Sequence, residues 1–189
     1  MARPRKFEPD SALADITEVF WRQGFEGASM QDIEAATGLK KQSLYRVFGD
    51  KRSMYLAALR HYEETEVYGA LDLLAAPGSA RAKIDRLFKR LLDAVEKNDR
   101  RGCFLCNAST DQAQLDPSTQ AWVSEVLERL ERGFRSALAA SAPYDKNVAI
   151  RNKAAARVLT SYLGLRVLVK AGTPLAALKT TARQTVSDI

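Results

Sequence analysis

Apolar positions recur every three to four residues along almost the whole chain, the spacing that gathers them on one face of an α-helix. Leu13, Ile16, Val19 and Phe20 form one such stripe; it predicts a first helix over about residues 10–23, with Gly24 as its stop. Ser29 followed by Asp32 reads as a capping box, because the hydroxyl and the carboxylate can satisfy amides otherwise unpaired at a helix start. A second helix is therefore expected from Ser29 to about Thr37. Gly38 gives the backbone freedom for a tight turn and Leu39 plugs the core. A short third helix from about Lys40 to Phe48 then carries Leu44 and Phe48 inward, one helical turn apart. Gly49 breaks it, and Asp50 is a good N-cap for a long fourth helix that passes Met54, Leu56 and Leu59 and runs to about Leu74.

Pro77, Gly78 and Ser79 form the clearest linker. An amphipathic helix over about 80–98 follows, with Ile84, Leu87, Phe88, Leu91, Leu92 and Val95 on its apolar stripe. A helix near 103–115 follows Gly102, and Asp116-Pro117, a cap with proline at the first helical position, opens another over about 117–140 carrying Trp122, Val126, Leu130 and Phe134. Asp145 is expected to start a long helix to about Ala171; Gly172-Thr173-Pro174 ends it and starts the last, over about 174–187. The pattern gives nine helices and no credible strand, since short β-branched runs such as Val167 to Val169 sit inside helical spacing, and an all-α fold is the consistent expectation. The second and third helices make a helix-turn-helix, so residues 1–52 are expected to form one domain and 53–189 a second, all-helical one.

Composition narrows the class. The chain has 189 residues, 46% of them hydrophobic and 28% charged, a balance typical of globular chains that bury a core. Neither the basic start, MARPRKFEPD, nor any later segment has the apolar run of a secretion signal or a membrane helix, so a cytoplasmic protein with no membrane partner is expected. A formal net charge of +6 hints at a polyanionic partner. Its distribution says more: Lys40, Lys41, Arg46, Lys51, Arg52 and Arg60 stand against the single acid Asp50 over residues 40–60. With one histidine, His61, there is no material for a histidine-based triad or a multi-histidine metal site. No catalytic residue, metal or cofactor is expected.

The segment GFEGASMQDIEAATGLKKQSLYRVFGDKRSMYLAAL, from Gly24 to Leu59, resembles the DNA-binding domain of the TetR family of bacterial regulators. The resembling positions are Gly24-Phe25, Ser29, Ile33, Ala36, Gly38-Leu39, Ser43-Leu44-Tyr45, Phe48 and Asp50-Lys51. The resemblance implies a nine-helix TetR-like fold: an amino-terminal three-helix domain that binds double-stranded operator DNA, and a carboxy-terminal domain that dimerises through its last two helices and binds a small-molecule effector. It implies base contacts for Lys41, Gln42 and Ser43, and backbone contacts for Tyr45 and Lys51. The physical chemistry runs the same way. A helix fits the major groove, where a glutamine amide can pair with adenine, a lysine can donate to guanine and a serine can contact either. Arg46, on the same helix, and Ser29 and Gln31, at the start of the helix that crosses the backbone, complete the candidate DNA contacts. Met30 stands where the family often has Ser or Thr, and Arg3, Arg5 and Lys6 form a basic arm.

In the second domain the stripes Val158, Leu159, Tyr162, Leu165, Val169 and Leu175, Leu178, Ala182, Val186 exceed what one small core needs, in keeping with a homodimer. A dimer implies a near-palindromic operator. Phe88, Phe104, Asn107, Trp122 and Tyr162 are candidate pocket residues among the fourth to eighth helices. The main expectation is a repressor released from its operator by a small molecule; an activator and an architectural DNA-binding protein are alternatives. Cys103 and Cys106 open a third. Cys103 sits at a predicted helix start beside Arg100 and Arg101, where the helix dipole and the guanidinium groups favour a thiolate, and Cys106 lies one turn on, within reach of a strained disulfide. Redox or electrophile sensing by this pair is thus a candidate function. A thioredoxin-like enzyme is disfavoured, because that motif needs a preceding strand.

Overall fold

The computed structural model describes residues 9–111 and 116–189. Among them are ten α-helical segments and no strand: α1 (Pro9–Gly27), α2 (Met30–Thr37), α3 (Lys41–Phe48), α4 (Lys51–Tyr62), α5 (Tyr68–Ala75), α6 (Ala80–Glu96), α7 (Phe104–Asp111), α8 (Pro117–Leu138), α9 (Val148–Lys170) and α10 (Leu175–Ser187). A π-helical turn, Glu63–Val67, joins α4 to α5 as one continuous rod. The described residues therefore form nine rods, as the periodicity predicts.

Local chemistry sets most boundaries. Ser29 and Asp32 form the capping box of α2, Asp50 Oδ1 accepts from the Ser53 amide to start α4, and Asp116 Oδ2 accepts from the Thr119 amide to start α8 ahead of Pro117. Gly24 interrupts α1 at φ 74°, in the left-handed region that favours glycine, so the regular helix ends there even though helical bonding resumes to Gly27. A Cβ at Gly24 would also stand 2.7 Å from the Asp111 carboxylate. Two expectations need correction. The helix expected to open at Asp145 starts at Val148, because Asn147 is the residue whose side-chain oxygen accepts from the amide three residues on, that of Ile150. The rod from Lys51 to Ala75 is not uniformly α-helical: the Tyr68 amide reaches back five residues to the Glu63 carbonyl. The predicted end of the sixth helix, residues 112–115, and the basic arm lie outside the described residues.

Packing follows the stripes. Ile16, Phe20 and Trp21 of α1 meet Met54, Tyr55, Ala58, Leu59 and Tyr62 of α4, all buried. Ile84, Leu87 and Phe88 of α6, Val126, Leu130 and Phe134 of α8, and Val158, Tyr162 and Leu165 of α9 fill the second half of the core. Each fully buried side chain of this size contributes about 1.5–3 kcal/mol. The π turn turns the carboxylate of Glu63 inward, where it accepts from Trp122 Nε1 at 2.9 Å and pairs with Arg129 of α8.

Candidate nucleic-acid interface

The helix-turn-helix is held by its own polar side chains. The Ser29 backbone amide and hydroxyl both donate to Asp32 Oδ2, at 2.8 and 2.6 Å, and the Asp32 amide donates back to the hydroxyl at 3.1 Å. These bonds from Ser29 hold the Asp32 carboxyl below the usual carboxylate range. Gly38, at φ 66°, turns the chain and donates its amide to the Glu34 carbonyl. The α3 start has no cap from its own N-terminal residue, Lys40; instead Glu34 Oε1 of α2 accepts from the Lys41 amide at 2.7 Å. That bond fixes α3 against α2, and no pattern local to α3 announces it. Ser29→Ala should cost about 1 kcal/mol of stability through the lost cap, read as a lower urea midpoint with unchanged slope. An unchanged midpoint would mean the box contributes nothing.

With Leu44 buried beneath it, α3 presents Lys41, Gln42, Tyr45 and Arg46 to solvent, while Ser43 is half-buried. Tyr45 is 41% exposed, large for an aromatic residue, and the Lys41 ammonium lies 5.4 Å from its ring centroid. Gln31 is exposed in the first turn of α2. Lys51 opens α4 with its ammonium 4.6 Å from the Phe25 ring, a cation–π contact that steadies the side chain beside α3. Lys41, Gln42, Tyr45 and Arg46 are thus exposed on α3, with Gln31 and Lys51 in the first turns of the adjoining α2 and α4. Ser29 differs from the others in that its hydroxyl is already engaged by the capping box.

The rod through α4 runs from this face into the body, and α7 with the loop before it makes a second tie. The Phe25 amide donates to Asp111 Oδ2 at 2.8 Å, and Asn107 Nδ2 donates to the Trp21 carbonyl at 3.3 Å. Arg101 stacks 3.8 Å over Trp21, chelates Asp99 and pairs with Glu18. At the other end Arg52 pairs with Asp116 and donates to Ser118. Phe20, Trp21, Phe25, Tyr55, Tyr62 and Phe104 form one ring cluster across α1, α4 and α7, with centroids 4.9–6.5 Å apart.

A cavity of about 120 Å³ lies behind this cluster, lined by Trp21, Arg90, Leu91, Val95, Tyr162 and Arg166 among others. Of the five candidate pocket residues, Tyr162 lines it. Phe88 packs edge-on against Tyr162, Phe104 lies in the ring cluster, Asn107 holds Trp21, and Trp122 is bonded to Glu63. Beside the cavity, the buried Cys103 sulfur lies 3.3 Å from the Tyr62 hydroxyl. Arg166 of α9 donates to the Tyr162 hydroxyl at 3.0 Å and to the Gly102 carbonyl at 2.8 Å, while its Nε is buried without a partner. Hydrogen bonding from Cys106, the Arg166 charge and the Tyr62 hydroxyl outweigh burial and pull the Cys103 thiol down to about 5; the same pairing and burial push Cys106 up. Both cysteines stand out in the sequence, whereas Tyr62 and Arg166 do not. The one available signal was an arginine set one turn after Tyr162 in an apolar stripe. Among the described residues no cluster of histidine, cysteine or carboxylate side chains could hold a metal ion, and no helix is long and apolar enough to cross a membrane.

Comparison with known proteins decides the family. The model of bacterial regulatory proteins of the tetR family matches residues 12–58. An uncharacterized HTH-type transcriptional regulator of Bacillus subtilis, YezE, is 31% identical over 135 residues, 71% of this chain and 70% of that protein. The chain belongs to the TetR family. Like other TetR regulators it is a DNA-binding transcriptional regulator and not an enzyme. The HTH-type transcriptional repressor ComR of Escherichia coli is 29% identical over 110 residues, 57% of this chain and 52% of that protein. Among solved structures, a cysteine mutant of the TetR family regulator CifR, complexed with 26-base-pair operator DNA, is 27% identical, with a TM-score of 0.85 and 98% of each chain covered.

Proposed function

We propose that this TetR regulator is a homodimeric repressor that grips a near-palindromic operator with two copies of α3 and leaves it when a small molecule enters the second domain. The observation that carries this reading is the exposed basic face of α3 and the start of α4, tied by α7 to a cavity in the helical body. Lys41, Gln42 and Ser43 read base edges, while Gln31, Tyr45, Arg46 and Lys51 hold phosphates; Ser29 serves chiefly by capping α2. Residues 1–52 act as the reading unit and 53–189 as the sensing and dimerising unit, with α4 shared by both cores. The repressor sense leans on relatives such as ComR.

The apolar stripes expected to serve a dimer are mostly spent on the protomer's own core, with Val158, Tyr162, Leu165, Val169, Leu178, Ala182 and Val186 all buried; dimerisation through α9 and α10 is supported instead by what those helices leave exposed. Ala156, Thr160, Gly164 and Val167 of α9 lie at helical spacing on one face, with Leu163 half-buried among them, and Ala177 and Thr181 do the same on α10. Small side chains along such a stripe let two helices approach closely, and no bulky charge interrupts it. The effector is assigned to the cavity beside Tyr162 and Arg166, where a shift of α7 reaches α1 through Asn107 and Asp111.

The test is salt-dependent binding to a palindromic site from the adjoining promoter. Lys51→Ala should weaken binding to all sequences alike and lower the slope of log K against log salt by about one unit. Gln42→Ala should instead relax preference at particular bases, by about 1–3 kcal/mol. Wild-type affinity for Lys51→Ala at every salt concentration would remove the phosphate assignment.

A further inference from the structure

We propose that Cys103 is a hydroperoxide-reactive thiolate, with Arg166 as its counter-cation and Cys106 as the thiol that resolves its oxidised form into a disulfide, and that this oxidation lowers operator affinity. The last clause rests on the DNA-binding reading above; the chemistry of the sulfur does not.

Arg166 is half-buried, with its Nε shut off from solvent and unpartnered, and a guanidinium so placed favours a negative charge nearby. The carboxylates near the cavity are already committed, Glu66 to Arg90 at 3.0 Å and Asp99 to Arg101 at 2.6 Å. The two phenols beside Arg166, Tyr62 and Tyr162, offer hydroxyls, and burial pushes the Tyr62 phenol up and so keeps it neutral. Asp99 also feels the Arg166 charge but is chelated by Arg101, so Cys103, whose sulfur interacts with the guanidinium, is a further group there able to carry negative charge.

The backbone prepares the same sulfur. The Cys103 carbonyl accepts from the Asn107 amide at 3.0 Å, which makes Cys103 the N-cap of α7. Its side chain therefore takes the position where a cap accepts from the amide three residues on, here Cys106, and where the helix dipole favours an anion. The thiol of Cys106 and the hydroxyl of Tyr62 supply two further hydrogen bonds. Residues three apart on a helix are neighbours, so the two sulfurs can join without moving α7 as a whole. Gly102, the chain neighbour of Cys103, and Arg166 line the cavity of about 120 Å³, although Cys103 itself does not. A water molecule claims about 30 Å³ of liquid; the cavity can therefore admit a small hydroperoxide.

The steps balance. The Cys103 thiolate attacks one peroxide oxygen, an S–O bond forms and the O–O bond breaks, and both electrons of that bond leave with the alkoxide or hydroxide, which takes a proton. Cys103 is now a sulfenic acid, oxidised by two electrons. The Cys106 sulfur displaces hydroxide from it, the S–S bond forms, and the hydroxide leaves as water with the Cys106 proton. The disulfide is neutral, so Arg166 loses its counter-charge and the Tyr62 hydroxyl its acceptor. Arg166 holds the Gly102 carbonyl at the start of α7 and Tyr62 lies on α4 against Trp21. The change thus reaches the seat of α1 directly.

The full chain, fully reduced and freed of reductant, is treated with stoichiometric hydrogen peroxide and followed by intact mass and by operator binding. Expected are a loss of 2 Da, a reaction rate whose pH midpoint lies below that of free cysteine, a dimedone adduct on Cys103 in Cys106→Ser, and operator affinity reduced at least tenfold until dithiothreitol restores it. Arg166→Gln should move the pH midpoint of the reaction upward. Cys103→Ser should bind operator and ignore peroxide. A wild-type protein that keeps its mass, or one that forms the disulfide with unchanged operator affinity, would overturn the proposal. A reduced protein that binds no operator would instead defeat the regulator reading, and the mass change would still judge the thiol.

Discussion

Val167→Asp is expected to leave each protomer folded but to separate the dimer, weakening operator binding by about 10²–10⁴-fold, the gain that linked binding modules usually supply. Val167 is 52% exposed on α9, so an aspartate there meets water in the monomer and costs only the helix-propensity difference, a few tenths of a kcal/mol. In the proposed dimer the same side chain lies on the stripe with Thr160 and Gly164. Two carboxylates would then be buried close together near the symmetry axis, repelling each other and losing their hydration. A single helix-turn-helix grips one half-site, so the loss of the partner removes half of the phosphate and base contacts. Sedimentation should give a monomer with unchanged helical circular dichroism. A dimeric Val167→Asp with full operator affinity would place the interface elsewhere.

Phe104→Ala is expected to destabilise the chain by about 3–5 kcal/mol, the range for removing a buried aromatic side chain. Phe104 is fully buried and stands 5.7 Å from both Tyr55 and Tyr62 and 6.5 Å from Trp21, centroid to centroid. Those neighbours belong to α1 and α4, while Phe104 opens α7, so they cannot close over the vacancy without shifting helices. Total stabilities run to only about 5–15 kcal/mol. At fixed protomer concentration the melting temperature should fall by roughly 6–20 °C. Operator binding should weaken as well, because the same rings seat α1 on the body. A fall below about 2 °C would mean that the cluster bears little of the load between reading head and body.

Most helix starts were legible because their determinants are local. Ser29 with Asp32, Asp50 with Ser53, and Asp116 ahead of Pro117 each complete a hydrogen bond within three residues, and such pairs can be read without knowing the fold. The exceptions are instructive. At the start of α9 two polar residues, Asp145 and Asn147, could take the same role, and the cap is Asn147, whose side-chain oxygen accepts from the Ile150 amide. The π turn had no local signature: it is stabilised where Glu63 meets Trp122 and Arg129, fifty-nine or more residues away. At the α3 start the cap came from Glu34 of the preceding helix, outside the pattern for a residue's own cap.

The functional residues divide the same way. The sequence by itself determined the all-α class, the helix-turn-helix and the exposed face of α3, because burial of Leu44 on one side of a short helix dictates what the other side presents. It also marked Cys103 and Cys106 as a pair at a helix start. Only the tertiary structure decided what surrounds that pair. Tyr62 and Arg166 lie 41 residues before and 63 residues after Cys103, on two different helices, and only the packing of α4, α7 and α9 brings their polar groups to one sulfur. Periodicity says which face of a helix turns inward; the angle and register of packing decide which groups meet there.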